Sequence, residues 1–138
     1  MNKKLIKENN KLIAEFMGYK QFVYISPWNN KKEIYYHKTN KDKEVLEQYA
    51  ENYPWMKNSG GKTILKEFNY HSDWNELMGV VEKIESMGYT PRIEKLKNGN
   101  QFCWIWDNKK PDDNPDVAEY SDKKIEAVYK TVIKFIKN

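Results

Sequence analysis

Residues 89–107 read YTPRIEKLKNGNQFCWIWD, and this stretch decides the fold that the sequence predicts. Both ends are rich in residues that favour extended chain, and Asn98-Gly99 lies between them. An Asn-Gly pair readily takes the positive φ angles of a tight turn. We therefore predict a β-hairpin with strands over 89–95 and 101–107.

Side chains in the second of these strands alternate between two faces. One face carries three aromatic rings, Phe102, Trp104 and Trp106, and the other carries Cys103 and Ile105. Cys103 is the only cysteine of the chain, which excludes an internal disulfide and fits a reducing compartment. Its position in mid-strand predicts a buried thiol that behaves as a small hydrophobic group.

A helix is predicted before the hairpin, between Asp73 and Gly88. Asp73 with Glu76 three residues later matches a capping box, and Gly88 is the left-handed residue on which helices commonly end. Apolar residues at helical spacing mark the buried stripe: Trp74, Leu77, Met78, Val81 and Ile84.

The remaining elements lie on both sides of this central pair. We predict a helix over 3–17 that ends at Gly18, strands over 21–25 and 33–37, a helix over 43–52, an extended stretch over 64–70 and a last helix from Ser121 or Asp122. The order predicts an α/β sandwich of the α+β class, with a small antiparallel or mixed sheet of two hairpins flanked by three to four helices. No linker interrupts the chain, so we predict a single domain over residues 1–138.

Composition limits the class of protein. The chain has 138 residues, of which 39% are hydrophobic and 32% charged, with five Trp, ten Tyr and five Phe. This predicts a thin core in which aromatic rings supply much of the burial, and formation of a homo-oligomer would relieve that thinness. No run of eighteen apolar residues and no secretion signal is found, so we expect a cytoplasmic protein without membrane contact.

The basic residues are unusual in kind and in distribution. Of 24 basic residues, 23 are Lys and one, Arg92, is Arg. Residues 1–70 carry 13 basic and 8 acidic side chains, whereas residues 71–138 carry 11 and 12. Scarce arginine disfavours sequence-specific DNA recognition, because arginine makes the paired contacts to guanine and phosphate. The mild basicity permits nonspecific contact with polyanions.

Two segments resemble functional loops and fail on spacing. The segment 59–63, SGGKT, resembles the end of a phosphate-binding loop, but the glycine that the motif requires is Met56 here. The acidic segment 112–116 resembles the start of a calcium loop, but Val117 and Lys123 stand where glycine and glutamate are needed. We interpret both as surface loops.

Candidate catalytic and metal-binding residues are few. His37, His71 and Cys103 are the only soft ligands, and their spacing matches no zinc module. His71 precedes a predicted helix, where it could act as a base or contact a ligand; a capping or packing role is the stronger interpretation. We predict no enzyme activity and no cofactor.

Aromatic residues are the remaining candidates. Strand aromatics are usually core, and this is the stronger interpretation for Trp104 and Trp106. Trp28 and Trp55 each lie beside a proline in predicted loops, where burial is less assured. Exposed rings with lysine neighbours can stack on a base or anchor a protein partner.

Three segments together carry a resemblance to a known family. They are 10–18 (NKLIAEFMG), 70–78 (YHSDWNELM) running on through 80–85 (VVEKIE), and 124–129 (KIEAVY) followed by 135–137 (FIK). In this order they resemble small phage and prophage proteins, especially of Bacteroidetes, described as a phage α-β-α sandwich domain. The resemblance implies the fold and a setting in which small accessory proteins often counteract host defence.

Three functions follow as expectations. The first is a non-enzymatic inhibitor that binds a CRISPR effector or its guide-RNA complex through a basic aromatic surface made of Trp28, Lys31, Lys32, Lys38, Lys41, Lys43, Tyr53 and Trp55. The second is a homo-oligomeric sponge for a cyclic nucleotide or ADP-ribose signal, with Trp104 or Trp106 on the base and Arg92 or Lys95 on phosphate. The third is a nonspecific nucleic-acid binder of the phage.

Overall fold

The computed structural model describes residues 2–25, 30, 32–38, 41, 43, 44, 47, 68–110 and 115–138, with backbone only for 22–25 and 32–35. The chain divides into two compact units. The first unit consists of Met1–Met17 and Phe68–Asn138, and the second of Gly18–Glu67. The predicted helix over 43–52 and the predicted extended chain over 64–70 both lie mostly outside the described residues. A single domain over 1–138 stays a prediction.

The first helix of unit 1, α1, spans Lys3–Phe16. Its N-terminus is capped by Asn2, whose Oδ1 accepts a hydrogen bond of 2.8 Å from the amide of Leu5. Ile13 and Ala14 are fully buried on its apolar side. The predicted stop at Gly18 is confirmed, since this residue takes a φ of +94° that a side chain would disfavour.

The second helix, α2, spans Trp74–Ser86. The Asp73 Oδ1 atom accepts hydrogen bonds from the amides of Asn75, at 2.9 Å, and Glu76, at 3.3 Å, as the predicted cap requires. The second hydrogen bond of a capping box would join the Glu76 carboxylate to the amide of Asp73. Here the carboxylate instead accepts a hydrogen bond of 2.6 Å from the amide of Asn69. The helix therefore fixes the turn that precedes it.

A three-stranded antiparallel sheet follows, with strands β3 (Tyr89–Lys95), β4 (Gln101–Asp107) and β5 (Val117–Ser121) in that spatial order. The predicted hairpin of β3 and β4 is confirmed. Its turn needs a positive φ only at Gly99, where φ is +91°. The third strand was not predicted: residues 117–120 were assigned to no element, and the last helix was expected from Ser121 or Asp122.

The last helix, α3, spans Lys124–Lys137, a few residues later than predicted. It packs along β4 and β5, while α2 packs on β3 and α1 on α3. The buried Thr131 hydroxyl lies 3.2 Å from the carbonyl oxygen of Cys103 and 2.7 Å from that of Ala127. The residues buried to within 2% exposure form the core between helices and sheet: Ile13, Ala14, Leu77, Val80, Ile84, Cys103, Ile105, Ala127, Val128, Tyr129, Thr131 and Val132.

Unit 2 contains the other predicted hairpin, formed by β1 (Lys20–Ile25) and β2 (Lys32–His37). The strands pair antiparallel, with Lys20 opposite His37 and Ile25 opposite Lys32. Asn30, in the connection, takes a φ of +55°.

The predicted α+β class is confirmed by three helices and two small antiparallel sheets within the described residues. The arrangement of strands differs from a single sheet, because the two hairpins lie in separate sheets and β5 joins the second of them. None of the helices in the described ranges is both long enough and apolar enough to cross a bilayer.

Candidate binding surface

The two faces of β4 have different surroundings. Cys103 and Ile105, each 1% exposed, point toward the helices, as does the neighbouring Val117 of β5. The side chains between them, on the opposite face, are half-buried: Phe102, Trp104 and Trp106. The predicted alternation along this strand is therefore confirmed, and the rings lie on the face away from the helical core.

The strand register places two further residues among these rings. Arg92 of β3 lies opposite Trp104, and Tyr120 of β5 lies opposite Phe102. Both added side chains are exposed, with Tyr120 at 58%. We call the set Arg92, Phe102, Trp104, Trp106 and Tyr120 the aromatic face.

The rings of the aromatic face pack against one another. Trp104 and Trp106 have centroids 5.4 Å apart and meet edge to face at 83°, while Phe102 lies 5.1 Å from Trp104 at 54°. The Arg92 guanidinium carbon lies 5.6 Å from the centroid of Trp106, within the range of a cation–π contact. These contacts restrict the positions of the large side chains.

One hydrogen-bond donor of the aromatic face has no acceptor among the described residues. The Trp104 indole nitrogen is shielded from solvent and has no hydrogen-bond partner there. A shielded N–H without an acceptor is unfavourable, by about 1–3 kcal/mol.

The charges of the aromatic face nearly cancel. Arg92 and Glu94 are both exposed on β3, and the register places Glu94 on the same face, opposite Phe102. Lys95 lies three residues after Arg92 and opposite Gln101, so its side chain is on the other face of the sheet. Of the two predicted phosphate contacts, only Arg92 shares the face of Trp104 and Trp106.

The basic aromatic surface predicted in the N-terminal half is described only in part. Trp28, Lys31, Tyr53 and Trp55 lie outside the described residues, and Lys32 is described by its backbone in β2.

The described lysines of that predicted surface all lie in unit 2. Lys38, Lys41 and Lys43 are exposed. The ammonium group of Lys38 lies 5.1 Å from the Tyr19 ring centroid, and that of Lys43 lies 4.0 Å from the Glu47 carboxylate. Two of these lysines thus already have local contacts.

His71 belongs to a buried polar cluster. The Asn10 side-chain nitrogen lies 3.1 Å from His71 Nδ1 and donates to the Phe68 carbonyl oxygen at 2.7 Å, while Asn10 Oδ1 accepts from the Tyr129 hydroxyl at 3.0 Å. An amide nitrogen can only donate, so Asn10 is the donor in its contact with His71. The packing interpretation of His71 fits this geometry. No sequence signal indicated the hydrogen bond between Asn10 and Tyr129 or the exposure of Tyr120.

Burial also determines the state of the thiol and of the buried phenol. Desolvation raises the pKa of the Cys103 thiol, an effect reduced by its hydrogen bond with Thr131. Desolvation likewise raises the pKa of Tyr129 to about 12. Within the described ranges, no three His, Cys, Asp or Glu side chains are grouped as metal ligands.

Compared with protein-family models, with curated proteins and with solved structures, the chain matches none of them. The fold and the surface define an α+β protein. Its three-stranded sheet carries helices on one face, and aromatic rings with an arginine on the other.

Proposed function

We propose that this chain is a non-enzymatic phage protein that inhibits a bacterial defence component by direct contact, and that the aromatic face is its contact surface. The observation that carries the proposal is the meeting of Arg92, Trp104, Trp106 and Tyr120 on one sheet face. Trp, Tyr and Arg are the residues most enriched at the energetic centres of protein interfaces.

Fixed ring positions support a role in binding. Side chains that are already ordered lose little conformational entropy when a partner docks. The contacts between Trp104, Trp106 and Arg92 provide such order, while the exposed Tyr120 supplies accessible apolar area and a hydroxyl.

Charge favours a protein partner over nucleic acid at this surface. Nucleic-acid affinity comes largely from cations that neutralise phosphates, and it falls steeply as salt rises. The aromatic face offers one arginine, with the carboxylate of Glu94 beside it. Affinity that drops by orders of magnitude between low and moderate salt would favour the alternative, a nonspecific nucleic-acid binder.

The biological setting rests on the sequence resemblance to phage accessory proteins. Small proteins in that setting act in the host cytoplasm, and a CRISPR effector or its guide-RNA complex is the target class that we propose. The three resembling segments contribute Asn10, His71 and Tyr129, respectively, to the buried polar cluster, so they support the scaffold that holds the sheet.

Two surface substitutions test the proposal. Tagged wild-type protein, Arg92→Glu and Tyr120→Ala are compared by capture of host proteins and RNA and by inhibition of CRISPR interference in cells. We expect both variants to lose the captured protein and the inhibition, while Glu82→Gln, an exposed position on α2, retains both. Unchanged capture and inhibition in Arg92→Glu and Tyr120→Ala would contradict the proposal.

A nucleotide sponge is the second candidate function. It is favoured by the position of the Arg92 guanidinium over Trp106 and beside Trp104, which pairs a phosphate contact with rings that can stack on a base. Calorimetry with cyclic nucleotides and ADP-ribose derivatives tests it. Heat of binding that disappears in Arg92→Ala would support a sponge, and the absence of heat for every signal would remove this candidate.

A further inference from the structure

A second candidate site lies on the helix side of unit 1, away from the aromatic face. It is a cavity of about 390 Å³ next to the ends of the three helices, where Phe16 closes α1, Met87 follows α2 and Phe135 lies in the last turn of α3. Tyr89, at the start of β3, and Asp116, just before β5, complete the polar side of its lining.

Three aromatic rings wall this cavity at steep angles to one another. Phe135 is in the middle, with Tyr89 at 4.8 Å and 79° and Phe16 at 6.3 Å and 86° between ring centroids and planes. Rings that meet edge to face turn their faces in different directions, and the negative potential over an open ring face attracts a cation.

The charges around the cavity also suit a cation. Helix ends expose carbonyl oxygens and carry partial negative charge. Asp116 adds an exposed carboxylate, with which no lysine or arginine forms an ion pair in the part of the chain that the structure describes. Asp116 therefore supplies an anionic group to the lining of the cavity.

The protein already uses this chemistry at one of the rings. The Lys83 ammonium group lies 4.6 Å from the Phe16 ring centroid and donates a hydrogen bond to the Phe16 carbonyl oxygen. This lysine is held by α1 and does not line the cavity, which leaves Tyr89, Phe135 and Asp116 for a second cation.

We propose that this cavity binds an alkylammonium group, with the rings of Tyr89 and Phe135 against the cation and the Asp116 carboxylate beside it. The volume suits a small ligand or one side chain. The same chemistry is presented by a free amine such as choline and by a methylated lysine of a peptide. This site is independent of the proposed inhibitory function.

A titration followed by NMR tests the charge requirement. Choline is compared with 3,3-dimethylbutan-1-ol, which has the same shape without the charge. We expect choline to shift the ring resonances of Phe16, Tyr89 and Phe135, with a dissociation constant of about 1 mM, and the alcohol to bind at least about tenfold more weakly. Equal binding of both, or no shift with either, would overturn the proposal.

Variants of the wall and of the carboxylate test the assignment to this cavity. We expect Tyr89→Leu to weaken choline binding about tenfold and Asp116→Asn about threefold, whereas Tyr89→Phe and the exposed Glu82→Gln leave it unchanged. Amide spectra check that each variant is folded. Unchanged choline binding in Tyr89→Leu and in Asp116→Asn would place the cation elsewhere and contradict the site.

A peptide carrying trimethyllysine distinguishes the source of the ammonium group. Tighter binding of this peptide than of choline, with shifts at the same rings, would assign the site to a protein tail. Tighter binding of choline would assign it to a free amine. The control is the same peptide with acetylated lysine, which carries no positive charge. If it binds as tightly as the trimethyllysine peptide or choline, the cavity recognises no cation and the proposal fails.

Discussion

The two faces of the three-stranded sheet differ in what their side chains contact. On the helix side, Cys103, Ile105 and Val117 are between 1% and 3% exposed, under α3. On the other side Tyr120 is 58% exposed and the three rings of β4 are half-buried. Because one strand supplies both faces, the comparison separates side chains buried under the helices from side chains that keep contact with solvent.

The largest expected effect is on the helix side. Ile105→Ala removes a fully buried side chain and should lower the free energy of unfolding by about 3 kcal/mol. Tyr120→Ala, on the aromatic face, should change it by less than about 0.5 kcal/mol. Urea denaturation of both variants measures the difference, and equal losses would show that the aromatic face is as much a core as the helix side.

A smaller loss is expected from one hydroxyl group. Tyr129→Phe removes the hydrogen bond to Asn10 and leaves the buried Asn10 oxygen without that donor, so stability should fall by about 1–2 kcal/mol. The matched change on the exposed side, Tyr120→Phe, should have almost no effect. Thermal unfolding of the pair tests this, and a neutral Tyr129→Phe would show that the polar cluster does not stabilise the scaffold.

The same residue should also make stability depend on pH in the alkaline range. Burial raises the pKa of Tyr129 from 10.0 to about 12, so the folded state holds the proton more tightly than the unfolded state. The resulting stabilisation is complete below pH 10 and is lost as pH rises toward 12. Wild-type protein should therefore lose stability over this interval more steeply than Tyr129→Phe, as measured by urea denaturation at several pH values. Parallel curves would contradict it.

A loss of stability smaller than that of Tyr129→Phe is expected at Arg92. Arg92→Ala removes an exposed cation–π contact with Trp106, and the free energy of unfolding should fall by less than about 1 kcal/mol. Guanidinium chloride denaturation checks this value. A loss as large as that of Ile105→Ala would mean that the arginine holds the rings in place and is not available for binding.

The sequence predicted the elements that have strong local signals. The hairpin around Asn98-Gly99, the cap at Asp73 and the helix stop at Gly18 depend on neighbouring residues, and all three are confirmed. Strand β5 was missed because Val117–Ser121 is short, mixed in polarity and preceded by an acidic loop, so its pairing with β4 is decided by tertiary contacts.

The candidate surface was predicted only in part, because local signals place some of its residues and tertiary contacts place the others. Alternation along β4 was enough to place Trp104 and Trp106 on one face, and Arg92 was named as their companion. The position of Tyr120 could not be obtained without the strand register, since it depends on which residue lies opposite Phe102. The separation of Lys95 from Arg92 follows from alternation along the predicted strand over 89–95.

Photocrosslinking from the aromatic face tests the central claim most directly. Tyr120→benzoylphenylalanine places a photoreactive group among the rings, and Glu82→benzoylphenylalanine places the same group on the exposed side of α2. The account predicts that irradiation in host cells links position 120, but not position 82, to a protein of a defence complex. Adducts of position 120 with RNA alone, or the same adducts from both positions, would contradict it.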